Sequence, residues 1–262
     1  MPKLRLPDGV ELHWEERGEG PLVVISAPCV SLPASFSALG DELERDHRVV
    51  FYDPRGTGQS TRSGPYDIAK DAEDQAALLR ELGEPAVLVA FGDALHRAVE
   101  ASAIEPELVA AVLSPGAAAL GSGRDYSGVD EGLASSPAVV GALVQLFETD
   151  YRSGLHAAVQ GGNPQFTPEQ VQQRVDGVIE YAPLEATIGR LRGWISHNSV
   201  PRARALGDRL WILIYGSNPW FPAELEPALR RDVPEAHMVH VENGAVSRPD
   251  LTAELVRRIT RC

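Results

Sequence analysis

The chain has 262 residues, of which 44% are hydrophobic and 23% charged, a mixture typical of a globular protein with one large buried core. Its formal net charge is −13 and it has no basic stripe, which argues against nucleic acid and anionic membrane surfaces as partners. No apolar run reaches the roughly 18 residues that a membrane-spanning helix needs, and no signal peptide is recognisable, so we expect a cytoplasmic protein. The two cysteines, Cys29 and Cys262, indicate neither a disulfide framework nor a zinc site, and we expect no metal and no cofactor.

Strand-like and helix-like patterns alternate through the first 115 residues. Continuous apolar runs such as Pro21–Ser26 and Pro85–Ala90 are typical of strands that are buried on both faces. The amphipathic stretches between them predict helices. In chain order, the predicted strands are 3–6, 10–16, 21–26, 48–52, 85–90 and 109–113, and the predicted helices are 36–44, 67–82 and 93–104.

The alternation stops after the sixth predicted strand. Residues 116–207 are predicted to be mainly helical, and Thr167 with Gln170 forms a capping-box pattern. Strands at 209–215 and 237–241 and helices at 222–231 and 249–260 complete the pattern. We therefore expect an α/β fold whose core, residues 1–115 and 208–262, holds a mostly parallel eight-stranded sheet with helices on both faces. The insertion at 116–207 would form a helical cap over the carboxyl ends of the strands, where open α/β sheets bind ligands.

This order of elements resembles the α/β-hydrolase superfamily, in its proline-iminopeptidase-like branch, over nearly the whole chain. The most specific match is Asp53–Ser60 (DPRGTGQS), which is similar to the superfamily's D-x-R-G-x-G-x-S turn after the fourth strand. Ser114-Pro115 and Gly216–Trp220 are weaker matches after the sixth and seventh strands. The resemblance implies a structural role for Asp53 and Arg55, whose side chains would hold the loop in place. The glycines of this loop permit a tight turn.

The resemblance also implies a Ser-His-Asp triad, yet none of its three positions holds the expected residue. The segment Ala90-Phe91-Gly92-Asp93-Ala94 places Gly92 where the nucleophilic serine of G-x-S-x-G is expected. The three residues after Gly216, at the end of the seventh strand, include no carboxylate, nor do residues 114–116 after the sixth strand. Gly244 is followed by Ala245 in place of histidine. We therefore predict that the triad is lost, and that Gly92 keeps the turn because glycine adopts a left-handed backbone without strain.

Two backbone amides at this position remain candidates for binding a carbonyl oxygen. One is the amide of Asp93, and the other lies within Ala27–Cys29, where Pro28 has no N–H to donate. Asp93 is the first candidate catalytic residue, as a general base or orienting group with a raised pKa; alternatively, it is a carboxylate favoured by the helix dipole. His96, one turn further along, is the second candidate catalytic residue, although a histidine in such a place is more often a core residue.

We expect the substrate to lie between these groups and the aromatic side chains of the cap. The predicted substrate-binding residues are Ala27, Cys29, Phe91, Gly92, Tyr151, Trp194, His197 and Trp220. Several aromatic residues fall in the cap or in the loop that faces it, which favours a large aromatic or polyketide-like small molecule. Cys29 is more readily explained as a small buried thiol than as a nucleophile.

Three functions are open at this point. The first is a cofactor-independent biosynthetic enzyme that polarises a carbonyl and moves a proton during cyclisation, carbon–carbon coupling, isomerisation or elimination. The second is a non-catalytic ligand-binding protein, an expectation that rests on fold analogy alone. The third is a hydrolase with a non-standard nucleophile. We favour the first because the scaffold and cap are kept while the triad positions are vacated; the oligomeric state is left open.

Overall fold

The computed structural model of the chain describes residues 3–116, 120, 137–215, 226–241 and 248–261. Its strands are β1 Lys3–Arg5, β2 Glu11–Arg17, β3 Leu22–Ser26, β4 Arg48–Asp53, β5 Ala86–Ala90, β6 Val109–Ser114, β7 Leu210–Tyr215 and β8 His237–Val241. They form one sheet in the order β1-β2-β4-β3-β5-β6-β7-β8. The β1–β2 and β2–β4 pairs are antiparallel, and all other neighbours are parallel. The predicted mostly parallel eight-stranded sheet is therefore confirmed.

Helices surround this sheet. In the described part of the chain they are α1 Ser37–Leu43, α2 Ile68–Leu82, α3 Ala94–Ile104, α4 Pro137–Thr149, α5 Tyr151–Gly162, α6 Pro168–Tyr181, α7 Leu184–Ser196, α8 Val200–Leu206, α9 Glu226–Asp232 and α10 Pro249–Ile259. None of these helices has the length and apolar character needed to cross a bilayer.

Strand β3 illustrates why the central strands are apolar throughout. Val24 belongs to an apolar cluster with side chains of α2, α3 and α8 on one face of the sheet. Val23 and Ile25 belong to a second cluster, with side chains of α1 and α10 on the opposite face. Because successive side chains of a strand point to opposite faces, a strand covered on both sides needs apolar residues at every position. This arrangement explains why the residues of β3 form a continuous apolar run in the sequence.

The predicted helical segment after the sixth strand is confirmed, because α4 to α8 lie between β6 and β7. Helix α6 begins with the predicted capping box: Thr167 Oγ1 accepts the Gln170 N–H, and Gln170 Oε1 accepts the Thr167 N–H. Apolar side chains of α4 to α7 form a cluster that also contains Cys29 from the loop after β3. The cap bounds 116–207, as a unit separate from the core, stay a prediction.

The turn after β4 connects the sheet to the cap. Arg55 is fully buried, and its Nε and Nη2 lie 2.6 and 2.8 Å from the two carboxylate oxygens of Asp74 on α2. Asp53 Oδ1 accepts a hydrogen bond of 2.9 Å from the Tyr181 hydroxyl at the end of α6. Gly58 has φ +51°, and a Cβ there would lie 2.3 Å from Asp53 Oδ2, so the turn requires glycine. These contacts agree with the structural role expected for Asp53 and Arg55.

Candidate functional site

The predicted turn between β5 and α3 lies at the carboxyl end of the central strand. Gly92 has φ +57°, a left-handed conformation that costs other L-residues about 1–2 kcal/mol. The Phe91 N–H donates to the Ser26 carbonyl oxygen over 3.1 Å, which holds the turn beside the end of β3. The Phe91 ring packs on Phe36 with ring centroids 4.1 Å apart and is only 5% exposed. Phe91 therefore lies in the core under α1, a position that favours packing over the ligand contact we predicted.

Asp93 makes the central contact of the site. Its side chain is 2% exposed, and Oδ1 accepts the backbone N–H of Cys29 over 2.9 Å. Although Asp93 directly precedes α3, its carboxylate makes no capping hydrogen bond to that helix. The contact with Cys29 does not decide between the proton-transfer and helix-dipole interpretations of Asp93, and both stay predictions. Pro28 has no N–H, and the donor in the loop after β3 is the amide of Cys29. This amide already donates to the Asp93 side chain.

Burial determines the protonation of both side chains in this contact. Removal from water raises the pKa of Asp93, while the positive charge of Arg97 and the hydrogen bond from Cys29 partly oppose that rise. Burial, assisted by the negative charge of Asp93, holds the pKa of the Cys29 thiol well above its ordinary value. A protonated thiol is a poor nucleophile at neutral pH, so the structure favours Cys29 as a buried packing residue.

A buried ionic cluster, formed by Asp71, Arg97 and Arg190, lies next to Asp93 and was not predicted. Arg190 of α7 holds Asp71 of α2 in a bidentate pair, with Nε and Nη2 at 2.6 and 2.9 Å from the carboxylate oxygens. Arg97 Nη1 lies 3.8 Å from the same carboxylate, and Arg97 Nη2 donates to the Ala27 carbonyl oxygen over 2.8 Å. All three charged side chains are at most 2% exposed.

The ionic cluster connects the cap to the loop that carries the Cys29 amide. Arg190 belongs to the cap, Arg97 to the helix that follows Gly92, and the Ala27 carbonyl to the loop after β3. Ala27, a predicted substrate-binding residue, therefore has a structural contact through its backbone. The signal in the sequence is the spacing: Arg97 lies three residues after Ala94 and Arg190 four before Trp194, so each arginine shares a helix face with buried residues.

Two predicted cap residues lie in the same apolar cluster as Cys29. Trp194 is 8% exposed within that cluster, and Tyr151 packs against it. The Tyr151 hydroxyl lies 2.8 Å from Thr187 Oγ1 and donates to the Ala182 carbonyl oxygen over 3.2 Å. Burial raises the pKa of Tyr151 to about 12, so the phenol is neutral at physiological pH. The structure thus brings Tyr151 and Trp194 to the cap side of the Asp93–Cys29 contact.

The two predicted histidines form a separate group. His96 is fully buried, and its Nδ1 lies 2.8 Å from Ser199 Oγ, which favours the core interpretation. The His197 ring stands edge-on to His96 with centroids 6.1 Å apart, and its Nε2 lies 3.0 Å from Glu100 Oε1. Trp220 and the triad positions after β7 and β8, which include Gly216, Gly244 and Ala245, lie outside the described residues.

No protein-family model matches the sequence, and no curated protein matches it. Solved structures do match: an esterase from Exiguobacterium antarcticum superposes with a TM-score of 0.84 at 20% identity, over 98% of both chains. The chain has the α/β-hydrolase fold. The same fold is found in an E-2-(acetamidomethylene)succinate hydrolase, with a TM-score of 0.76 and 21% identity over 100% of this chain and 98% of the other. It is also found in a bromoperoxidase from Bacillus anthracis, with a TM-score of 0.78 and 15% identity over 97% of this chain and 96% of the other.

These neighbours are esterases, hydrolases and a bromoperoxidase, so this α/β-hydrolase fold is one that predominantly supports enzymes. At 14–21% identity the likeness concerns the fold, and activity has to be argued from the site. Within this fold, Gly92 stands at the turn after the fifth strand, and the Asp93 and Cys29 amides stand where oxyanion donors are expected. The side chain next to Gly92 that contacts the loop after β3 is the Asp93 carboxyl, which accepts the Cys29 N–H.

Proposed function

We propose that this chain is an enzyme of small-molecule biosynthesis that works beneath its cap without a serine nucleophile and without a cofactor, with Asp93 as its proton-transfer group. The observation that carries the proposal is the buried Asp93 carboxyl beside Gly92, which is held by the Cys29 amide and has a raised pKa. A carboxyl whose pKa is raised by burial can accept and return a proton closer to neutral pH than an exposed one.

The proposed mechanism uses groups that surround Gly92. The amide of Asp93 stands at the start of α3, where N–H groups have no acceptor inside the helix, and it would polarise a substrate carbonyl. Polarisation acidifies the neighbouring C–H, and Asp93 would remove that proton and return it elsewhere on the same substrate. Because the Cys29 amide holds Oδ1, the transferred proton would reside on Oδ2. Return of the proton to another carbon completes an isomerisation, and its transfer to a hydroxyl that departs as water completes an elimination. If the enolate carbon attacks a second carbonyl, the proton goes to that carbonyl's oxygen, which gives cyclisation or carbon–carbon coupling.

The charged neighbours of Asp93 fit this role. Arg97 and Arg190 lower the pKa of Asp93 against the effect of burial, so they favour the carboxylate, which is the form that accepts the proton from the substrate. Arg190 is itself balanced by Asp71, which leaves the site without a large excess of positive charge. In this proposal an aromatic or polyketide-like substrate would contact Tyr151 and Trp194, the aromatic residues in and against the apolar cluster that contains Cys29.

Metabolite profiling tests the proposal even though the substrate is unidentified. The purified protein is incubated with a metabolite extract of the source organism, and consumed and formed compounds are followed by mass spectrometry. We expect the Asp93→Asn variant to form about 100-fold less product, while metabolites that co-purify with it stay bound. The matched control is Asp176→Asn, which changes an exposed carboxyl of α6 and should leave turnover intact.

Each outcome of this experiment has a definite meaning. Equal turnover in wild type and Asp93→Asn would remove Asp93 from the mechanism. Tight binding of a metabolite with no product would favour the non-catalytic ligand-binding function instead. A product with the mass of its substrate, or one lighter by a water, supports proton-transfer chemistry.

Hydrolysis by a water molecule that Asp93 activates is the second candidate. Two observations favour it: the solved neighbours include esterases and hydrolases, and Gly92 places no side chain where a serine would stand. This candidate predicts products whose combined mass exceeds that of the substrate by one water, with the label from oxygen-18 water in the acid. It also predicts p-nitrophenyl ester turnover that Asp93→Asn abolishes. Unlabelled products and inert esters would dismiss it.

A further inference from the structure

A groove of about 310 Å³ lies between α6 and the 3-10 turn Pro33–Phe36, and neither Asp93 nor Cys29 lines it. Its lining combines apolar, amide and cationic side chains: Leu32, Ala34, Ser35, Phe166, Gln170, Gln173 and Arg174. Its volume is at the lower end of the roughly 300–1,000 Å³ that small-molecule sites occupy. We call it the Arg174 groove.

Arg174 lines this groove, and its partners differ from those of the buried arginines Arg55 and Arg190. The buried guanidiniums of Arg55 and Arg190 each hold an aspartate in a bidentate pair. Arg174 is half-buried, yet among the described residues it forms no ion pair, and burial lowers its pKa with no carboxylate to oppose the effect. Its polar contact is a hydrogen bond from Nη1 to Ser35 Oγ.

The remaining donors of Arg174 are suited to a planar anion. A guanidinium has five N–H donors, and the bond to Ser35 uses one of them. Two parallel N–H groups match the two oxygens of a carboxylate. The Phe166 ring centroid lies 5.8 Å from the guanidinium carbon, and Leu32 adds a second apolar wall.

We propose that the Arg174 groove is a binding site for a small organic carboxylate with an apolar or aromatic body. The carboxylate pairs with Arg174, the body packs against Phe166 and Leu32, and the side-chain amides of Gln170 and Gln173 contact its polar edge. The site does not involve Asp93, so it stands whether or not the proposed function does.

Calorimetric titration with hexanoate and benzoate tests the proposal, with hexanamide and benzamide as neutral probes of the same shape. We expect both carboxylates to bind, the amides to bind at least about tenfold more weakly, and R174Q to weaken carboxylate binding by about tenfold or more. Ala34→Trp keeps the guanidinium but fills the groove, and should also abolish binding.

Three control variants show whether binding depends on the Arg174 guanidinium in this groove. S35A removes the hydrogen bond between the turn and α6 but keeps the cation, so binding should persist. R152Q removes an exposed arginine that pairs with Asp176, and D93N changes the Asp93 site; neither should affect binding. Circular dichroism confirms that each variant is folded.

Several results would overturn the proposal. The first is that R174Q or A34W binds the carboxylates as tightly as the wild type does. The second is that the amides bind as well as the carboxylates, or that S35A loses as much carboxylate affinity as R174Q. The third is that neither carboxylate binds at millimolar concentration. A loss caused by D93N would place the carboxylates at the Asp93 site instead.

Discussion

Replacement of Asp71 by asparagine should destabilise the protein strongly, because Asp71 is the carboxylate of the buried ionic cluster. Its side chain is 1% exposed, and it faces Arg190 in a bidentate pair and Arg97 at 3.8 Å. Asparagine keeps the shape but leaves both guanidiniums buried without their countercharge. Removal of one partner from a buried ion pair costs about 3–5 kcal/mol, so we expect the free energy of unfolding to fall by that amount.

Urea unfolding followed by tryptophan fluorescence and circular dichroism measures this loss. The expected change corresponds to a fall in Tm on the order of 10 °C for a chain of this size. The control is Asp176→Asn, which breaks the pair with Arg152 on the surface, where the side chains are 54% and 53% exposed. An exposed pair contributes about 0–1 kcal/mol, so the control should unfold almost as the wild type does.

The variant Arg190→Met and the double variant Asp71→Asn/Arg190→Met complete the test. If the two residues stabilise the fold through each other, the double variant loses about 1–3 kcal/mol less than the sum of the single losses. A loss below about 1 kcal/mol in Asp71→Asn, or additive losses in the double variant, would refute the view that the cluster attaches the cap to the core.

The remaining predictions concern the turn at Gly92. Because the pKa of Asp93 is raised in the fold, the stability that its proton contributes is present at low pH and is lost as the pH rises through the folded-state pKa. Asp93→Asn keeps an oxygen that can accept the Cys29 N–H but carries no charge. In urea unfolding, the free energy of unfolding of the variant relative to that of the wild type should therefore be higher at about pH 8 than at about pH 4. The opposite trend would contradict the raised pKa of Asp93. Gly92→Ala should cost about 1–2 kcal/mol, since φ is +57°; an unchanged urea midpoint would argue against that conformation. Gly92→Ser should give no p-nitrophenyl esterase activity, because a serine without a general base is a weak nucleophile; new activity would disprove the predicted loss of the triad histidine.

The sheet could be predicted from the sequence because its signals are local. The central strands β3 and β5 are short apolar runs, and the edge strand β8 was predicted at its observed bounds, His237–Val241. The turn at Gly92 was predicted for the same reason: a buried strand and a helix adjoin it directly in the sequence. The left-handed conformation of Gly92 confirms that part of the prediction.

The contacts of the site could not be predicted in this way, because they join residues that are far apart in the chain. Cys29 and Asp93 are 64 positions apart, and Asp71 and Arg190 are 119 apart. A single sequence shows that an arginine interrupts an apolar helix, but not which carboxylate will meet it in the fold. The predicted loss of the acid and the histidine after β7 and β8 stays a prediction, since those positions lie outside the described residues.

The hydrogen bond between Asp93 and Cys29 bears on which reactions the turn at Gly92 can support. In acyl transfer, amides at these two positions stabilise the negative charge that develops on a substrate oxygen. Here the Cys29 amide already donates to a carboxylate, so a substrate oxygen would have to displace Asp93 Oδ1 to reach it. The absence of a hydroxyl at Gly92 and the occupied Cys29 amide both act against acyl-enzyme formation. Both also leave a buried carboxyl of raised pKa at the point where the fold presents its reactive group. The proposed proton transfer by Asp93 rests on this contact, and the Asp93→Asn variant is its test.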